Sequence, residues 1–154
     1  MIAADEPCRP ALRWAGGKYG MAPRLASLLP PTWGTYFEPM AGGAALFFFV
    51  LPAKAVLGDV NGELINFYRV LRDRFSELRR RLNKLSASEK MYYAFRESKP
   101  RGHVQRAVRF AYLNRLSWNG LYRVNRSGKF NVVGSWGSWG LVGVWHNNSS
   151  WGLA

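Results

Sequence analysis

Between residues 35 and 82 short β-branched and aromatic runs alternate with helix-period segments, and no other feature restricts the fold as much. Residues 35–39 read as a short strand that ends at the pair Gly42-Gly43, and residues 44–51 follow as an apolar, buried helix. Residues 54–60 read as a second buried strand ending at Asp59, with Asn61 placed to cap the next helix. In that helix Leu64, Tyr68, Leu71, Phe75, Leu78 and Leu82 recur at alternating spacings of four and three. Arg79, Arg80 and Arg81 stand near its far end, where cations suit the helix dipole. The unit is βαβα, and the fold class is α/β.

Around this unit the chain is simpler. Residues 1–12 carry no periodic pattern and read as an arm leading into the loop Arg13-Trp14-Ala15-Gly16-Gly17-Lys18. Met21, Leu25 and Leu28-Leu29 then fall at helical spacing, and Pro30-Pro31 ends that short helix. Further on, Ser86-Ala87-Ser88-Glu89 has the form of a capping box opening a helix to about Ser98, which Pro100-Arg101-Gly102 breaks. Val104, Ala107, Val108 and Ala111 mark an amphipathic helix running to about Leu116. From Val133 the composition changes abruptly: residues 133–154 hold four of the seven Trp, with five Gly, four Ser and no charged residue. With neither helical nor strand period, this stretch is expected to be disordered and an aggregation liability.

Charge points to a partner. Twenty-two Lys and Arg against nine Asp and Glu give a net charge of +13, enough to attract a polyanion over a Debye length or more. The surplus is concentrated: Glu97 is the last acidic residue, whereas Lys99, Arg101, Arg106, Arg109, Arg115, Arg123, Arg126 and Lys129 all follow it. Nucleic acid is the partner this favours, the competing reading being a solvated basic face. The single Cys8 allows no internal disulfide, and with no signal peptide the expected setting is a reducing one, the cytoplasm. The most apolar run, residues 41–51, is too short to span a bilayer and is followed by Pro52 and Lys54, so no membrane role is expected.

A strand end turning through glycines into a helix, with a carboxylate closing the next strand, suits a nucleoside ligand. Glycines let backbone approach the ligand, and Asp59 can accept hydrogen bonds from ribose hydroxyls. Alone the pattern is common, and Asp59 could equally be a helix-capping turn residue. A dinucleotide needs G-x-G-x-x-G around its pyrophosphate, and Gly42-Gly43-Ala44-Ala45 does not supply it, which disfavours NAD. S-adenosylmethionine has no phosphates, and its sulfonium favours carboxylate or aromatic company.

Four segments, in order and spacing, resemble the Dam-type DNA adenine-N6 methyltransferases, which use S-adenosylmethionine. They are residues 12–18; Phe37-Glu38-Pro39 with Gly42-Gly43; Gly58-Asp59-Val60-Asn61 with Glu63-Leu64-Ile65-Asn66; and Tyr112-Leu113-Asn114-Arg115 through Asn119-Gly120-Leu121-Tyr122-Arg123 to Gly128-Lys129-Phe130-Asn131-Val132. The resemblance implies a Rossmann-like S-adenosylmethionine domain with an incomplete sheet, interrupted by a mostly helical DNA target-recognition insertion. It divides the chain into residues 1–85 for the cofactor, 86–132 for target recognition and 133–154 as the tail. It further implies that Trp14, Lys18, Glu38, Pro39, Gly42, Gly43 and Asp59 bind the cofactor, the bend from Glu38 to Gly43 facing the methionine part and Asp59 the ribose. On the DNA side, Trp118 would wedge into the duplex and Arg123 would read a guanine, with Asn119 and Leu121 beside them. Arg115, Arg126 and Lys129 would serve phosphates, and no metal is implied. The physics agrees, because Arg pairs bidentately with guanine and an aromatic ring can fill the gap left by a flipped base. The blander readings are a packing aromatic for Trp14, a solvated charge for Lys18 and a basic surface loop for residues 118–129.

The chain departs from the family pattern in three places. Met40 stands where the family has Phe, and Ala44 where it has a further Gly, a serious change if that position needs positive φ. The family's downstream Asp-Pro-Pro-Tyr, which holds the target amino group, does not occur: all eight prolines lie at or before Pro100, and Pro30-Pro31 follows Leu29. Similarity stops at Val132, where the composition changes, so the expectation is a truncated or frameshifted chain that is inactive alone. Two alternatives accompany it: a non-catalytic DNA-binding remnant, and a half that needs a separate chain carrying the catalytic motif.

Overall fold

The computed structural model describes residues 8–135, which form two compact units. One comprises residues up to Ala11 together with Gly16–Val60, and the other joins Leu12–Ala15 to the chain from Asn61 onward. By packing, the chain thus divides after Val60, whereas the sequence reading places its division after residue 85.

In the first unit a 3-10 turn, Tyr19–Met21, leads into helix α1 (Ala22–Ala26), with Pro23 in its first turn, where a missing amide proton costs nothing. Strand β1 (Tyr36–Glu38) pairs in parallel with β2 (Ala55–Leu57), Tyr36 opposite Ala55, Phe37 opposite Val56 and Glu38 opposite Leu57. Helix α2 (Ala45–Val50) makes the crossover between them and buries Ala45 and Phe48. Strand, helix and parallel strand stand in the expected order, but the expectation that both strands are buried is corrected. Phe37 is 68% and Val56 51% exposed, because the sheet has two strands among the described residues and no layer covers this register pair.

The second unit is helical. The single helix expected from Asn61 to Leu82 is corrected to two, α3 (Gly62–Asp73) and α4 (Phe75–Leu82), broken at Arg74 (φ −136°, ψ 35°). The four–three spacing runs through the break because both segments turn apolar faces to the same helix, α6 (His103–Leu116). Asn61 caps α3 as expected, its Oδ1 accepting from the amides of Glu63 (3.1 Å) and Leu64 (3.2 Å). Helix α5 (Glu89–Glu97) is capped by Ser88, not by the expected Ser86, whose carbonyl accepts the Tyr112 hydroxyl instead at 2.9 Å.

Around α6 lies a core of Tyr92, Tyr112, Leu113, Leu116, Phe130 and Val132. Each such side chain contributes about 1.5–3 kcal/mol on burial, and the Tyr92 hydroxyl avoids an unmet polar group by donating to the Val132 carbonyl at 3.0 Å. Val133–Ser135, placed with the tail by composition, are joined to the core: the Trp118 amide donates to Val133 and the Ser135 amide to Leu116. The rest of the tail lies outside the described residues. Among the described residues no helix is long and apolar enough to cross a membrane.

Candidate cofactor bend and DNA-recognition turn

The carboxyl ends of parallel strands are where ligands bind in open α/β sheets, since the crossover connections leave a crevice there. Here those ends carry Glu38-Pro39 and Gly58-Asp59. The two turns are laced together: Gly58 N–H donates to the Glu38 carbonyl (2.9 Å) and Ala41 N–H to the Gly58 carbonyl (2.8 Å). The Asp59 carboxylate accepts from Gly42 N–H at 3.0 Å. Close approach favours glycine at position 58, because a Cβ there would lie 3.3 Å from the Pro39 carbonyl oxygen, a tight contact with backbone. Gly42 has φ 48°, in the left-handed region that glycine tolerates. Ala44, which the family pattern would fill with glycine, also has positive φ (50°) and is fully buried. The sequence-based concern about this position is thus a property of the structure.

Glu38 is half-buried. Desolvation raises its carboxyl pKa above the usual range, opposed by a 3.0 Å hydrogen bond from the Tyr36 hydroxyl and a backbone hydrogen bond from Phe47 in the first turn of α2. The same pairing, after desolvation, pushes the Tyr36 phenol up. A half-buried carboxylate that costs energy to ionise is stabilised by an incoming cation, which is what a sulfonium or an amino group offers. Five of the seven expected cofactor residues, Glu38, Pro39, Gly42, Gly43 and Asp59, therefore converge on one bend. Lys18 precedes the 3-10 turn that packs on α2, and its ammonium donates to the Gly16 carbonyl at 2.6 Å. Trp14 falls in the second unit, stacked on Tyr122 with ring centres 6.3 Å apart and planes at 15°, and tilted against Phe110.

In the second unit α6 carries Arg115 in its last turn and is followed by a tight turn at Trp118–Gly120 in which Asn119 (φ 53°) and Gly120 (φ 66°) are left-handed. Arg115, Trp118 and Asn119 line one cavity of about 260 Å³ with Arg13, Ser117 and Ser135. Trp118 is 60% exposed, available to a flat apolar partner. Burial and the neighbouring Arg13 charge pull the pKa of Arg115 down, so the wall of this cavity favours an anion. Leu121 lies partly against the core. Beyond it a short hairpin is closed by a Val124–Phe130 bridge, with Asn125 Oδ1 accepting from the amides of Ser127 and Lys129. Arg126 and Lys129 are exposed within its loop and Arg123 is exposed just ahead of the bridge. The Arg123 guanidinium is aimed by Asn131, Nε donating to Oδ1 at 3.0 Å, and Lys129 sits 3.5 Å from Glu97.

Sequence reasoning assigned no role to Arg13, Ser117 or Asn114. Asn114 is 1% exposed and is the one amide side chain among the buried residues of α6, within the segment Tyr112-Leu113-Asn114-Arg115 that carries part of the family resemblance.

Residues 14–135 match the profile of D12 class N6 adenine-specific DNA methyltransferase. The type II methyltransferase M1.LlaDCHI of Lactococcus lactis subsp. cremoris is 42% identical over 132 residues, covering 80% of this chain and 46% of that protein. The type II methyltransferase M.CviBI of Paramecium bursaria Chlorella virus NC1A is 39% identical over 127 residues, covering 80% and 49%. The DNA adenine methylase of Escherichia coli (strain K12) is 36% identical over 130 residues, covering 80% and 46%. The chain spans about half the length of the curated relatives it matches. It belongs to the D12 class of N6 adenine-specific DNA methyltransferases.

Proposed function

We propose that this chain carries the S-adenosylmethionine-binding and DNA-gripping functions of an adenine-specific DNA methyltransferase, an enzyme that moves a methyl group from S-adenosylmethionine to adenine N6 in duplex DNA. The observation that carries the reading is the bend at the ends of β1 and β2, where Asp59 organises Gly42 and a reluctantly ionised Glu38 stands one residue before Pro39. We read this βαβ unit as the start of a Rossmann-like sheet. Asp59 would hold the ribose hydroxyls, the Gly42-Gly43 backbone would lie against the ligand, and Glu38 would face its cationic methionine part. By the family resemblance Lys18 and, from the second unit, Trp14 are further candidates for cofactor contacts. S-adenosylmethionine supplies an activated methyl group when bound, and the protein's part is to orient it and keep water out.

On the DNA side Arg123 would read a guanine edge, Trp118, with Asn119 and Leu121 beside it, would fill the space of an extruded base, and Arg115, Arg126 and Lys129 would neutralise phosphates. Residues 1–154 contain no Asp-Pro-Pro-Tyr, so by themselves they are expected to bind both ligands without transferring the methyl group. Calorimetric titration of the purified chain with S-adenosylmethionine tests the reading: saturable one-to-one binding supports it, and no heat from a folded sample refutes it. One observation favours the second reading, a DNA-binding remnant: Ala44 occupies a left-handed position at the mouth of the cofactor bend. DNA retardation in a gel with no cofactor binding would select that reading.

A further inference from the structure

We infer that the DNA interface extends from the recognition hairpin along a run of basic clefts to helix α4, where Arg79, Arg80 and Lys84 contact phosphates of the duplex flanking the target. The inference rests on the DNA reading made above.

The cations around α4 outnumber the anions that could answer them. The helix has one carboxylate, Glu77, and it is taken from both sides, by Arg74 and by Arg81, each at 2.8 Å. Arg79, Arg80 and Lys84 are exposed, and none of them has an ion-pair partner among the described residues. A helix dipole welcomes a cation in the last turn, but cations this close together also repel one another. That repulsion is a cost to the folded chain which a polyanion relieves.

Continuity with the hairpin separates this patch from an ordinary solvated face. Lys129 lines a first cleft of about 240 Å³ together with Lys99 and Arg109. Arg109, with Ser98 and Pro100, also lines a second cleft, to which Arg81 and Lys84 contribute. Lys84 in turn lines a third with Arg79 and Arg80. Shared walls make the three clefts adjacent, and every residue named lies in the second unit. The acids of the first cleft are engaged, Glu63 by Arg106 at 2.6 Å and Glu97 by Lys129 at 3.5 Å, and the other two clefts have no acidic wall. Duplex DNA carries one negative charge per about 1.7 Å of its axis, so a duplex held at the hairpin presents phosphates wherever it continues along this course. Such contacts position the protein without reading sequence, and they add affinity for any flank.

The test follows a labelled random-sequence duplex of about three helical turns by fluorescence anisotropy over a salt series. The wild-type chain is compared with Arg79→Gln/Arg80→Gln/Lys84→Gln and with an equally neutralised control, Arg24→Gln/Lys54→Gln/Lys90→Gln. The control residues are exposed and line none of the three clefts. Gln is nearly as good a helix former as Arg or Lys, so the unfolding midpoint of the α4 variant is expected to stay level or rise. That variant is expected to lower the slope of log K against log salt by about 2.7, about 0.9 for each of three contacts, and the control by less than about 0.9. A wild-type slope in the α4 variant, or an equal loss in the control, overturns the inference while leaving the hairpin's role standing. A wild type that binds no duplex refutes the DNA reading itself, and the inference with it. Lysine acetylation of the unmutated chain gives an answer independent of any variant's folding: the duplex must slow modification of Lys84 and Lys99 along with Lys129, and leave Lys90 unaffected. Protection of Lys129 alone overturns the inference, as do anionic lipid vesicles that shield Lys84 where the duplex does not.

Discussion

Asp59 accepts a 3.0 Å hydrogen bond from the backbone N–H of Gly42, 17 residues earlier in the chain. The carboxylate that would hold the ribose is therefore also the group that shapes the glycine bend. A hydrogen bond to a charged group contributes about 1.5–3 kcal/mol, so Asp59→Ala removes both the bend's anchor and the ligand's acceptor. S-adenosylmethionine affinity is expected to fall by about tenfold to a hundredfold on that basis. Asp59→Asn keeps an acceptor for Gly42 N–H and is expected to preserve the fold while still weakening the ligand. Calorimetry paired with thermal unfolding separates the two, and an Asp59→Ala chain that binds normally would remove the site's central assignment.

Glu38 gives the bend a pH dependence of definite sign. Its folded pKa is raised, so the folded state holds this proton more tightly than the unfolded chain does. Its stabilising contribution is present below the ordinary carboxylate range and is lost as pH rises through the raised value. A cationic ligand favours the ionised form, so S-adenosylmethionine affinity is expected to climb with pH over the same interval while the stability of the ligand-free chain falls. Glu38→Gln should flatten both curves. Unfolding midpoints and binding constants measured across the acid limb check this, and an affinity that declines with rising pH would contradict it.

The two left-handed ends of α2 make a local test of strain. Leu51 has φ 47° and is 49% exposed. Leu51→Gly removes a left-handed penalty of about 1–2 kcal/mol, partly offset by the chain entropy of glycine. A net stabilisation of roughly 0.5–1 kcal/mol is expected, read as a higher midpoint in urea. At Ala44 the same relief is opposed by losing a fully buried methyl group, worth about 0.8 kcal/mol, so Ala44→Gly should change stability little. Equal gains from both substitutions would show that burial does not decide the difference.

Much of this architecture is readable from local pattern. The alternation of runs from residue 35 to 82 sets the order strand, helix, strand, helix, and Gly42-Gly43 with Asp59 marks the bend, because backbone reversal and close approach leave a signature in residue type. Apolar runs also mark Phe37 and Val56 as buried, yet both are exposed, since periodicity reports the face a residue is suited to and not whether another layer covers it. The break at Arg74 escapes the four–three spacing because both halves answer to the same partner helix. Asn114 and Trp14 were the least legible. Their partners, Arg13 at 101 positions' distance and Tyr122 in the recognition segment, are contacts of the fold that no local window contains.

The hairpin at residues 123–131 should separate sequence reading from simple attraction. Arg123 is aimed by Asn131, whereas Arg126 is exposed, and Lys129 pairs with Glu97 at 3.5 Å, both side chains being more than half exposed. An exposed ion pair of this kind contributes about 0–1 kcal/mol and leaves Lys129 free to exchange Glu97 for a phosphate. Arg126→Ala and Lys129→Ala should each lower the slope of log K against log salt by about 0.9 and weaken all duplexes alike. Arg123→Ala should cost roughly 1–3 kcal/mol at one base position and relax discrimination there. Asn131→Ala should reproduce part of that loss through misaiming of the guanidinium. Competition binding over a salt series, with duplexes randomised one position at a time, measures both quantities. If Arg123→Ala altered only the salt slope, its role would be that of a phosphate contact and the guanine assignment would fall.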